Sequence, residues 1–434
     1  MDALPGTTPD GRRWPHDLET PDPEPITMTL RRTETTSTTA GSTPVTERAL
    51  APDLARGAML LLIALAHVPW FLYDAPVGAT MLHPVDGGIA DRIVQALTLI
   101  VVDARTHTMF GFLFAYGVGQ MYARQTARGT SPDTARRLLR RRHLWMILFG
   151  AVHAALLWQG DIVGVYGLIG LIMVPLFLGR TDRTLRVWVV VLLTLGALAT
   201  IVSTISGLLV DSAGPMPADL QRLSIAEADY ATSAAVRFPT WLFTLLSSLF
   251  TLALPTAFLI GLLAARHRVL EEPARHLSLL RRTAFVGILL GWTTGVAAAL
   301  GHLGLLEAVP ESALGGAHFY TGIFAGVGYA ALFGLIAHRL DTRRARESLP
   351  VRAMVALGRR SLSGYLAQSL VFAPFLAAWG LGLGVHLSSW SAALVALATW
   401  LLTMVAAYRM DRAGTRGPAE TLLRRLTYRR APRR

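Results

Sequence analysis

The stretch Leu54–Leu72, LARGAMLLLIALAHVPWFL, is nineteen residues long and carries only two ionisable side chains, Arg56 and His67. About twenty predominantly apolar residues are what a helix needs to cross a bilayer. A helix rises about 1.5 Å and turns roughly 100° per residue. The eleven steps from Arg56 to His67 therefore carry the imidazole about 16 Å further along the helix and back to nearly the same face. Ionisable groups placed inside a membrane usually face a bundle interior or a water-filled cavity. This stretch sets the fold class and supplies the first candidate site.

The rest of the chain follows the same pattern. Of 434 residues, 52% are hydrophobic and 16% charged. Apolar runs recur near 106–123, 143–159, 162–179, 185–210, 239–265, 283–302, 317–338, 362–380 and 389–409, which with 54–72 makes ten spans. The expected fold is an all-α, polytopic membrane helical bundle. Segment 91–102 reads either as a short extra helix or as a re-entrant piece, because it ends in the charged run Asp103-Ala104-Arg105-Thr106-His107. Zero cysteines exclude disulfides, thiolate metal sites and a cysteine nucleophile.

All 41 basic residues are arginine, and the formal net charge is +13. Their distribution argues against nucleic acid as a partner. The loops after spans two, four, six and eight and the tail after span ten hold about 31 arginines, whereas the intervening loops hold Arg92, Arg222 and Arg237. The positive-inside rule then places both termini in the cytoplasm of a bacterial plasma-membrane protein, with the lipid bilayer as the principal partner. Residues 1–47, rich in Pro, Thr and acidic residues, read as a disordered cytoplasmic tail without the order of a signal peptide. Residues 48–410 form the ten-span domain. Residues 411–434 read as a basic amphipathic cytoplasmic segment, with Leu422, Leu423, Leu426 and Tyr428 among arginines. The longest outer loop, 211–238, carries Asp211, Asp219, Glu227 and Asp229.

The candidate chemistry has a plain alternative at each position. With 41 arginines and 12 histidines in 434 residues, about 1.1 Arg/His pairs at this separation are expected by chance; two occur, Arg56/His67 and Arg142/His153. Spacing alone carries no weight. Location adds some, since both histidines fall inside spans and both arginines near cytoplasmic span starts. Asp161 after Gly160 caps the fourth span or, alternatively, presents a carboxylate to a cavity above His153. Asp103, Arg105 and His107 form a structural ion-pair cluster or a substrate-binding rim near the outer side. Ser361, Tyr365 and Gln368 fall on one helical stripe and serve as interhelical glue or as contacts to a hydroxylated substrate. Arg140-Arg141-Arg142 and Arg343-Arg344 are topology signals that would also receive a phosphate-rich cofactor. No P-loop, zinc motif, nucleophile elbow or dinucleotide fingerprint is present, and no metal site is expected.

Several motifs in order resemble the YeiB-like family of bacterial membrane proteins, whose shared region is a domain of unknown function. They are Pro52-Asp53-Leu54-Ala55-Arg56-Gly57, Phe112–Gly119, His153 with Gly160-Asp161-Ile162 and Tyr166-Gly167-Leu168, Gly328–Phe333, Leu357–Ser369, and Gly417-Pro418-Ala419-Glu420 with Leu426-Thr427. The resemblance covers about residues 48–430. This family is in turn similar to the transmembrane acyltransferases, including the acyltransferase-three proteins and heparan glucosaminide N-acetyltransferase. In those relatives a basic residue, ten residues and then His in the first span form the functional signature, which Arg56 and His67 match. Many YeiB-like chains carry Asn at the His position, so this chain departs from them toward the acyltransferases.

The resemblance implies acyl transfer, with no tightly bound cofactor and acyl-CoA as co-substrate. Catalytic candidates are His67, Arg56, Asp53 and His153. Substrate-binding candidates are Asp103, Arg105, His107, Asp161, Tyr365 and Gln368, and Arg140, Arg141 and Arg142 would hold the CoA phosphates. The acceptor would be a cell-surface or lipid-linked glycan. A secondary transporter, or a non-enzymatic membrane component using the intramembrane His/Asp/Arg groups, is the alternative. Neither the acceptor nor the oligomeric state is legible in the sequence.

Overall fold

The computed structural model describes residues 49–78, 82–209, 218–306 and 309–428. The expected tail 1–47, Asp211 and the last six residues lie outside the described residues. The described chain is helical, with one isolated bridge between Val77 and Pro84. Helix α1 (Leu50–His67) is followed by α2 (Ile89–Val101), α3 (Thr106–Ala127), α4 (Pro132–Leu156), α5 (Val163–Phe177) and α6 (Asp182–Leu209). Then come α7 (Ala218–Ala226), α8 (Tyr230–Ser247), α9 (Ala253–Arg266), α10 (Leu277–His302) and α11 (Glu311–Arg339). The last are α12 (Arg343–Glu347), α13 (Leu349–Arg359), α14 (Ser361–Leu376), α15 (Ser389–Arg412) and α16 (Pro418–Tyr428).

Six stretches are long and apolar enough to cross a membrane: 50–71, 89–127, 182–209, 273–302, 311–339 and 389–412. Helices α5, α9 and α14 are apolar but shorter. This is an all-α membrane bundle. Segment 91–102 is a helix, α2. One expected span needs correction: 239–265 is two helices, α8 and α9, separated by residues 248–252. Pro255, in the first turn of α9, has no N–H to give to Thr251, so a single continuous helix would lose a bond there.

Close crossings are built on small residues. A Cβ on Gly358 of α13 would collide with the Asp53 carbonyl of α1, and one on Gly57 with the Met354 backbone. Along α10 and α11, Gly287 faces the Phe324 backbone, Gly291 meets Ala325 and Gly328 meets Ile288. Inside a membrane, lipid is as apolar as leucine, so such close backbone approach and interhelical hydrogen bonds supply much of the association. Two of those bonds fall on α1: the Trp400 indole N–H donates to the Gly57 carbonyl (3.0 Å) and the Gln368 amide to the Leu60 carbonyl (3.0 Å).

The first span changes form at His67. Pro69 cannot donate to Leu65, and the chain continues as a 3-10 turn over Val68–Phe71. His67 is therefore the last residue of the α-helical run.

Candidate functional site

At the arginine-rich end of the bundle, α1, α3, α4, the α13–α14 junction and α16 surround a cavity of about 700 Å³. Seven arginines line it (Arg56, Arg124, Arg142, Arg359, Arg360, Arg416 and Arg424) against three carboxylates, Asp53, Asp411 and Glu420. All three carboxylates are engaged. Asp53, almost fully buried, holds Arg56 at 3.1 Å and Arg359 at 3.4 Å. Arg56 also donates to the Leu113 carbonyl (3.2 Å). Asp411 pairs with Arg360 at 3.2 Å. Glu420 of α16 accepts the backbone N–H groups of Leu362 (2.8 Å) and Ser363 (3.1 Å), satisfying two donors that the start of α14 leaves open.

Arg142 differs. Its guanidinium lies 5.7 Å from the Phe114 ring centroid, and among the described residues no carboxylate is within ion-pair distance. Near the mouth, Tyr428 accepts from the Gln125 amide at 3.4 Å. Burial pushes its phenol above the usual range, opposed by the positive charges of Arg142 and Arg424.

Further in, the lining turns apolar: Met59, Phe110, Leu113, Phe114, Met146, Ile162 and Val163. The cavity ends on Tyr365. Beyond that ring lie both intramembrane histidines, with centroids 6.1 Å (His67) and 5.4 Å (His153) from it. The Tyr365 hydroxyl donates to the Gly160 carbonyl and accepts from the Ile162 N–H, both at 3.3 Å. His67 itself does not line the cavity. Its ring packs edge-on against Trp158 at 4.7 Å and is only partly covered.

Asp161 takes the capping reading: it is 2% exposed and does not line the cavity. Its carboxylate caps α5 through the Val163 (3.1 Å) and Gly164 (2.6 Å) N–H groups and accepts from the Trp241 indole (3.3 Å). It also stands 3.2 Å from His153 Nδ1, close enough for charge attraction though not aligned for a hydrogen bond.

The structure separates other expected groupings. Ser361 and Tyr365 reach the cavity, whereas Gln368 ties α14 to α1. Of the Arg140-Arg141-Arg142 run, Arg142 lines the cavity and the other two do not. Asp103 and Arg105 are not an open rim, being 2% and 0% exposed. Asp103 pairs with His83 at 2.7 Å, and Arg105 donates to the Asp103 and Gly291 carbonyls and stands 3.0 Å from His318. His107 is half-buried, and its carbonyl accepts from the Tyr166 hydroxyl (2.6 Å). Among the described residues no group of three or more His, Asp or Glu could hold a metal ion. Sequence reasoning missed Arg124, Arg359, Arg360, Arg416, Arg424 and Glu420. Each reads locally as a topology charge, and only the return of α16 to α4 and α14 brings them together.

Residues 264–430 match the family described as "Protein of unknown function (DUF418)". The uncharacterized protein YxaH of Bacillus subtilis (strain 168) is 26% identical over 400 residues, covering 87% of this chain and 93% of the relative. The uncharacterized protein YeiB of Escherichia coli (strain K12) is 25% identical over 413 residues, 89% and 97% of the two chains. Over most of its length the chain is similar to these two YeiB-like proteins, and its C-terminal part matches the DUF418 model. A 39.9 kDa protein from the amylase 3' region of Bacillus acidopullulyticus is 33% identical over 125 residues, 29% of this chain and 33% of that relative. The DUF418 match takes in α10 to α16, and with them the Arg359-Arg360 edge, Tyr365 and the α16 wall of the cavity. Arg56, His67, Arg142 and His153 come from the preceding part of this YeiB-like chain.

Proposed function

We propose that this membrane protein is a transmembrane acyltransferase. It moves an acyl group from acyl-CoA, entering at the arginine-rich end, to a hydroxyl or amine of a cell-surface or lipid-linked glycan. The arginine count of the loops supports a cytoplasmic orientation for that end, and in this reading the membrane is the bacterial plasma membrane. One observation carries the reading: the cavity changes from arginine-lined to apolar along its length and reaches Tyr365, whose ring lies against both His67 and His153. An anionic head with an acyl tail has that polarity. Arg142, without a carboxylate partner, is suited to charge-assisted bonds to phosphate.

In the chemical step the acceptor oxygen or nitrogen attacks the thioester carbonyl, the carbon–sulfur bond breaks, and CoA leaves as its thiolate. His67 takes the acceptor proton, a contribution of about 10²–10⁴ in rate. His153, 3.2 Å from the Asp161 carboxylate, is the second imidazole against the Tyr365 ring. Tyr365 lies between cavity and His67, so the reading requires its ring to swing aside, against two hydroxyl hydrogen bonds of 3.3 Å.

The test is transfer of labelled acyl groups from acyl-CoA to surface glycan in membrane vesicles. His67→Asn should insert normally and lose about 10²–10⁴ in rate. Full activity in that variant removes the general-base role.

A further inference from the structure

The motif Gly417-Pro418-Ala419-Glu420 has no part in the acyl-transfer step, yet Gly417 and Glu420 line the arginine-rich cavity. Helix α15 ends at Arg412, and the link 413–416 is exposed. Within it Gly414 has a left-handed φ of 65° and open space around it. Pro418 then opens α16, its fixed φ suiting a first helical turn. Glu420 reaches back to the start of α14. Its carboxylate accepts the Leu362 and Ser363 N–H groups (2.8 and 3.1 Å) and the Ser363 hydroxyl. That hydroxyl in turn accepts from the Ala419 N–H at 3.1 Å. A Cβ at position 417 would strike the same carboxylate and hydroxyl, so Gly417 leaves room for the contact.

The seat that Glu420 fills suits a free anion. The first N–H groups of a helix are unpaired and carry the positive end of its dipole, and phosphates bind there readily. This seat opens onto the cavity, since Arg360, Ser361 and Leu362 all line it. Arg360 is 6% exposed. Its terminal amino groups reach Asp411 and the Ala356 and Thr415 carbonyls, and its Nε is buried with no hydrogen-bond partner among the described residues. The far part of α16 is held by packing instead: Leu423 and Thr427 are buried, and the helix lies against α4.

We propose that Glu420 is a built-in anion that latches α16 over the cavity, and that an entering phosphate-bearing ligand displaces it. The phosphate takes over the Leu362 and Ser363 N–H groups. The Glu420–Ser363 and Ala419–Ser363 contacts then break together, and the first turn of α16 lifts about the Gly414 link. The latch rests on the reading that the cavity takes an anionic head; it does not depend on acyl transfer.

The test uses the full chain in nanodiscs of zwitterionic lipid, with CoA and inorganic pyrophosphate as probes. Glu420→Gln keeps an acceptor oxygen on the two N–H groups and removes the charge that competes with the probe. It should bind both probes about 2- to 30-fold more tightly than wild type, the range that a charge at a helix N-terminus is worth. Ser363→Ala leaves the cavity charge unchanged and removes the hydroxyl that both Glu420 and Ala419 use. It should still tighten binding, by about 2- to 10-fold. In the wild type, pyrophosphate should speed amide hydrogen exchange in residues 413–428, whereas a fixed wall carrying arginines would be slowed by a bound anion. Slower or unchanged exchange, or a Ser363→Ala variant that binds no more tightly than wild type, overturns the latch and leaves the anion-binding cavity standing. Failure of wild type and both variants to bind either probe removes the cavity reading itself, and the latch with it.

Discussion

The two ends of this bundle use the same residue types to opposite effect. At one end seven arginines surround an open cavity with three carboxylates, all of them engaged, and Arg142 is left without an acidic partner. At the other, Arg105 is fully buried, its two terminal amino groups turned to carbonyls and His318, beside an Asp103–His83 pair. An unbalanced positive charge in an open cavity is held ready for an anion. A buried guanidinium ringed by acceptors is structural, and its removal exposes every group that depended on it.

The contrast breaks first on stability. Arg105→Met keeps the apolar stem and leaves the Asp103 and Gly291 carbonyls without their donor. It should cost about 3–5 kcal/mol, read as thermal unfolding in detergent. Arg142→Met should stay within about 0.5 kcal/mol of wild type. Equal losses would mean that both arginines are structural. On binding the order reverses. Arg142→Met should weaken CoA binding by about 1.5–3 kcal/mol, roughly 10- to 150-fold, whereas a folded Arg105 variant should bind normally; titration of CoA into the purified protein measures this.

A smaller effect comes from the crossing that places Asp53 beside Arg56 and Arg359. Gly358→Ala puts a methyl against the Asp53 carbonyl and should cost about 1–3 kcal/mol while also loosening CoA binding. Unchanged CoA affinity in that variant would separate the crossing from the cavity. The smallest effect belongs to neither end's site. Asp229 caps α8 by accepting the Thr232 N–H at 2.7 Å, and that bond holds its carboxyl below the usual range. Its stabilisation is present above the unfolded pKa of about 4 and lost as pH falls through the lower folded value. Asp229→Ala should therefore lower the unfolding temperature slightly at neutral pH, and the difference should vanish in acid.

The helices were legible because apolar length is a local property. Leu54–Leu72 identifies α1 without reference to anything else, and Pro69 marks where its α-helical run ends. The α8–α9 break was missed although Pro255 signals it, because the residues around it remain apolar. The cavity was only half legible. Arg56 and Arg142 stood out through their spacing to His67 and His153, but Arg359, Arg360, Arg416 and Arg424 look like any loop charge. Their convergence depends on α16 folding back, which no local pattern states. Asp161 shows the limit from the other side: its cap on α5 is a local matter, whereas the approach of His153 to the same buried carboxylate depends on how α4 packs.

Helix α6 touches the bundle sparingly, with only 11% of its apolar window buried, against α9 and α11. After Arg186 it runs roughly 23 uncharged residues to Leu209, about 35 Å of helix where the hydrocarbon slab is about 30 Å thick. A helix that exceeds the slab leans over or thickens the lipid around it. With so few neighbours to fix its angle, α6 is the long helix least held against such a tilt by the rest of the bundle.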